Sequence, residues 1–60
     1  MNTYRVIYRQ ESYSRTEARQ TPKTLHSARY LALCYLAQTP NSEVTILSPS
    51  GRVSTVMSNA

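Results

Sequence analysis

Leu25-His26-Ser27-Ala28-Arg29-Tyr30-Leu31-Ala32-Leu33-Cys34-Tyr35-Leu36-Ala37-Gln38 is the one long apolar block of the chain, and its reading decides the fold. Leu, Ala and Arg favour helix, and no Gly or Pro interrupts the run. Thr24 can cap it, because its hydroxyl can accept from a free first-turn N–H. Thr21-Pro22 is a rival start, since Pro is tolerated at the first helical position. Pro40 disfavours helical geometry at Thr39, and Asn41-Ser42 continues as a turn. These signals predict a helix over 25–38.

At 100° per residue, Leu25, Ala28, Ala32, Tyr35 and Leu36 share one face, with Leu31 at its edge. That face is expected to meet the rest of the chain. The other side carries Tyr30, Leu33, Cys34 and Ala37, where a surface helix normally carries charge. A short chain has little material to cover a second apolar face. The expectation is therefore a protein interface at Tyr30, Leu33, Cys34 and Ala37, either with another protein or in a two-fold homodimer. The alternative is that the C-terminal strands or tail fold over it.

Working outward, Thr3-Tyr4-Arg5-Val6-Ile7-Tyr8-Arg9 alternates β-branched, aromatic and charged residues and predicts a strand. Tyr4, Val6 and Tyr8 point to the helix, which leaves Ile7 exposed between Arg5 and Arg9. Gln10-Glu11-Ser12 reads as a connection, and residues 13–20 as a weaker second strand with Ser14, Thr16 and Ala18 on one side. Glu43 to Ser48 is a third strand. Ser48-Pro49-Ser50-Gly51 has turn chemistry, and Arg52 to Met57 returns as a fourth. Ser58-Asn59-Ala60 is expected to fray. The fold class is α+β: ββαββ, an antiparallel sheet of three to four strands with one helix on one face, in a single small domain over 1–60.

The chain has 60 residues and a net charge of +4, with six arginines, one lysine and three acids. A chain of this size is marginally stable. Its basic balance suits anionic partners. Were the first two strands to pair, Arg5, Arg9, Tyr13, Arg15 and Arg19 would share a sheet surface. Guanidinium groups bind phosphates bidentately and an aromatic can stack on a base, so this face is the alternative, nucleic-acid-binding site.

Other chemistry is thinly represented. His26 has no Ser or Cys evidently paired with it, since Ser27 points about 100° away along the helix. It reads as a solvated first-turn histidine. Cys34 lies far from a helix N-terminus that would activate it, and a lone cysteine makes no internal disulfide or zinc site. Glu17, between Arg15 and Arg19, suggests ion pairing. Gly51 is the only glycine, so no phosphate loop is present. The expectations are no catalytic residue, no metal and no cofactor. The solitary cysteine and the polar N-terminus, without a signal peptide, suggest a cytoplasmic protein. The run Tyr30 to Ala37 is too short to span a membrane, and no membrane or small-molecule partner is expected.

The layout of a strand opening at Tyr4, a turn into a helix over Thr24-Leu25-His26-Ser27-Ala28-Arg29, and a terminal hairpin around Pro49-Ser50-Gly51 resembles that of small accessory proteins of temperate bacteriophages and other mobile elements. The resemblance implies a protein that binds a host or phage macromolecule, and it carries over no functional residue. The expected function is a small non-enzymatic protein-binding module that modulates a larger macromolecule. The alternative is a nucleic-acid-binding domain using the arginine-rich sheet face.

Overall fold

The computed structural model describes residues 2–10 and 15–59. Five elements follow in order: β1 (Arg5–Gln10), β2 (Thr16–Glu17), α1 (Leu25–Gln38), β3 (Ser42–Leu47) and β4 (Val53–Asn59). The strands form one antiparallel sheet in the order β2-β1-β3-β4, and α1 packs on one face. β1 and β3 are thus central, paired from Arg5↔Leu47 to Gln10↔Ser42. The last two strands extend the first pair's sheet.

The helix begins where Thr24 caps it. Thr24 is extended (φ −129°, ψ 155°), and its Oγ1 accepts from the Ser27 N–H at 3.1 Å. The rival start is used otherwise: the carbonyl of buried Pro22 accepts from the Tyr4 N–H at 2.7 Å. That bond ties Tyr4 to the approach to α1, and β1 begins one residue later, at Arg5.

The buried stripe of α1 is Ala28, Ala32 and Leu36, with Leu25, Leu31 and Tyr35 partly buried beside it. It meets Val6 of β1 and Val44 and Ile46 of β3, all fully buried. Burying an aliphatic side chain of this size contributes about 1.5–3 kcal/mol, so these few residues dominate the stability of so small a chain. Tyr8 stacks on Tyr35, ring centroids 4.2 Å apart and 6° from parallel, and fastens the C-terminal half of the helix to β1. Ala18, just past β2, completes the core, and its N–H donates to the Val6 carbonyl at 2.8 Å.

Three sequence expectations need correction. The second strand is two residues long instead of spanning 13–20; Tyr13 and Ser14 lie outside the described residues. Ile7 is not exposed but only 8% accessible. It sits in an inner strand, in register with Glu17 on one side and Thr45 on the other. Ser58 and Asn59 do not fray. They pair with Glu43 and Ser42, and Asn59 Nδ2 donates to the Leu36 carbonyl at 2.6 Å. The last carbonyls of a helix lack partners within it. Asn59 therefore satisfies one of them and anchors the end of β4. The Thr39 carbonyl beyond the helix accepts from Ser42 Oγ at 2.6 Å.

The β3–β4 hairpin turns as its residues demand. Gly51 has φ 91°, a left-handed value that a side chain strains, and its N–H donates to the Ser48 carbonyl at 2.8 Å. Asn41 occupies the other left-handed position, φ 53°, between the helix and β3; asparagine tolerates this region better than most residues.

Leu36→Ala is expected to destabilise the fold by about 2–5 kcal/mol, the range for a buried leucine that leaves a cavity. Asn59→Ala is expected to cost about 1 kcal/mol through the lost cap and to speed amide exchange at the end of β4. Urea unfolding and hydrogen-exchange NMR check the two.

Candidate functional site

α1 presents Tyr30, Leu33, Cys34 and Ala37 outward, and all four are exposed. Tyr30 is 65% and Leu33 54% accessible. No described strand folds over them. The helical spacing that sends Ala28, Ala32 and Leu36 inward forces these four outward.

Tyr30 is the ridge of this surface. On one side lies a groove of about 340 Å³ between the loop Gln20–Pro22 and the start of the helix, floored by Leu31. On the other lies a second of about 300 Å³, lined by His26, Arg29, Tyr30 and Leu33. Periodicity located the ridge but not the grooves. The loop reaches the helix because Pro22 is pinned to Tyr4, a long-range bond with no local sequence signature. The His26 side chain is exposed here, as a first-turn histidine is expected to be.

The arginine surface is arranged differently from the sequence expectation. Arg5 is engaged by Glu17 in a bidentate pair, Nε to Oε2 at 3.0 Å and Nη2 to Oε1 at 2.8 Å. Both side chains remain about half exposed. The partner of Glu17 is thus the cross-strand Arg5, and it is the one ion pair among the described residues. Arg9 stands in register with Glu43 of β3. Two carboxylates therefore share the face that carries Arg5 and Arg9. Arg15 and Arg19 are exposed but flank β2 instead of belonging to it, and Tyr13 lies outside the described residues.

Cys34 is a solvent-exposed free cysteine. Burial pushes the Tyr8 phenol above its ordinary value, and neighbouring Cys34 and Tyr35 add to the shift. Among the described residues no three His, Cys, Asp or Glu gather as a metal site, and no helix is long and apolar enough to cross a membrane.

The hydrogen bonds from Arg5 hold the Glu17 carboxyl below its ordinary range. A carboxylate with a lowered folded-state pKa contributes stability that is present at neutral pH and lost as pH falls through that pKa. Arg5→Gln is therefore expected to return Glu17 towards the ordinary carboxylate range. Its stability should differ from wild type at neutral pH and converge with it in acid. Carboxyl-detected NMR titration and urea unfolding at both pH values check this.

No family model, curated protein or solved structure matches this chain.

Proposed function

We propose that the protein is a small non-enzymatic module that binds a larger protein through the outer face of α1. The observation that carries this reading is the exposed pair Tyr30 and Leu33, three residues apart on one helix face, with a groove on each side of the tyrosine. Exposed aromatic and aliphatic side chains of this kind mark interaction sites. Tyrosine is also a common anchor, since it adds large contact area at low entropic cost. Ala37 and Cys34, being small, let a partner approach the helix closely. Arg29 and His26 supply polar contacts at the rim, as protein interfaces require.

A phage or mobile-element accessory protein that modulates a larger macromolecule in a cytoplasm would act in this way, by occupying a surface of its target. The pairing of Arg5 with Glu17 and the register of Arg9 with Glu43 favour this reading over nucleic-acid binding, because carboxylates on the sheet face repel phosphates.

Leu33→Glu and Tyr30→Ala are expected to abolish capture of a protein partner from nuclease-treated lysate, with the helical circular dichroism signal retained. Arg15→Ala with Arg19→Ala is expected to leave capture intact. If the helix variants bind as wild type does while the arginine variant and nuclease abolish binding, the helix face is not the site and the basic residues are.

A further inference from the structure

The two edges of the sheet are built very differently. β2 has two residues, one of them Glu17, and is flanked by Arg15 and Arg19; short, charged strands are how natural sheets blunt an edge. β4 has seven residues, Val53-Ser54-Thr55-Val56-Met57-Ser58-Asn59, with no charge, no proline and no glycine. Its inner side is bonded to β3 along its length. In an antiparallel ladder about half of a strand's N–H and C=O groups face each neighbour. The outer side of β4 therefore offers a row of donors and acceptors to another extended strand. The one irregularity, a bulge between Ile46 and Leu47 that leaves Ser54 without a partner, lies at the turn end of the strand. Thr55 to Asn59 stay regular against β3, and the bulged Ser54 lies two residues from Val56.

Two of the exposed large apolar residues also lie here, Val53 and Val56. Val56 is in register with Thr45, which in turn faces Ile7, so it belongs to the sheet face opposite the helix. It is 56% accessible and occupies the middle of the strand.

We infer that β4 is a self-association edge: two copies pair β4 to β4, antiparallel about a two-fold axis through Val56, and make one continuous eight-stranded sheet. The occupant is a second copy, because the uncharged strand admits its own symmetry mate. The chain carries +4, so two copies repel over most of their surface. A neutral strand laid on its own symmetry mate brings no like charges together. In this register the two Arg52 residues lie at opposite ends of the ladder, roughly 27 Å apart at about 3.4 Å per residue, well beyond a physiological screening length of about 8 Å. The two-fold also sets Val56 against Val56, an aliphatic cross-strand pair that covers exposed apolar surface. The axis runs perpendicular to the sheet, so both helices lie on the same side and both Tyr30-Leu33 ridges stay free. The dimer is thus independent of the partner surface on α1 and presents it twice.

Sedimentation equilibrium from micromolar to millimolar concentration tests the inference. Wild type is expected to dimerise, and Val56→Lys to stay folded while its dimer dissociation constant rises by at least about tenfold, from like charges set directly opposite each other. A second variant covers the case in which the lysine unfolds the chain. Val56→Cys in a Cys34→Ser background is expected to form an intermolecular disulfide under mild oxidation, whereas Thr16→Cys in the same background, on the other edge, is not. A wild type that remains monomeric throughout overturns the inference. So does a dimer that Val56→Lys leaves unchanged, or one that Leu33→Glu dissociates, which would place self-association on the helix. Equal cross-linking of the two cysteine variants overturns it as well.

Discussion

One helix has to cover a four-stranded sheet, and it does so through a stripe of small residues. Ala28 and Ala32 bring the α1 backbone close to Val6, Val44 and Ile46, and Leu36 fills the end of the contact. With a single layer of helix there is material for one sheet face only. Everything else in the structure answers that shortage: which strands lie at the centre, how the bare face is dressed, and which apolar residues stay in solvent.

β1 and β3, which carry the fully buried Val6, Val44 and Ile46, sit at the centre beneath the helix, and β2 and β4 take the edges. On the bare face Ile7 is shielded, while its flanks carry Arg5 and Arg9 with Glu17 and Glu43 placed across from them. The arginines that look from the sequence like a phosphate-binding row are in part the solvated cover of an inner strand. Asn59 gains its role in the same economy, since a terminal strand residue serves as the cap of a helix 23 positions earlier.

Among the described residues, the large apolar side chains that the core leaves exposed fall in two places, the Tyr30-Leu33 ridge of α1 and the Val53-Val56 side of β4. They differ in chemistry. The ridge offers side chains and grooves, which suit a shaped protein surface. The strand offers backbone hydrogen bonds and an uncharged edge, which suit its own symmetry mate. As proposed, self-association falls to the strand and target binding to the ridge.

The helix was legible in the sequence because its signals are local: Thr24 before the run, Pro40 after it, and a 3.6-residue period that separates Ala28, Ala32 and Leu36 from Tyr30 and Leu33. The strands around Val6, Val44 and Val56 and the Gly51 turn were legible for the same reason, as alternation and turn chemistry act within a few residues. Strand order was not, because pairing β1 with β3 is a choice among distant segments that no local pattern encodes. The burial of Ile7 and the capping role of Asn59 depend on that choice, the partner of Glu17 on the β1–β2 register, and the grooves beside Tyr30 on the bond from Tyr4 to Pro22. Local composition determined which elements form and which faces are apolar; only the tertiary structure decided which apolar faces are covered, because one helix can cover only the strands that the sheet brings beneath it.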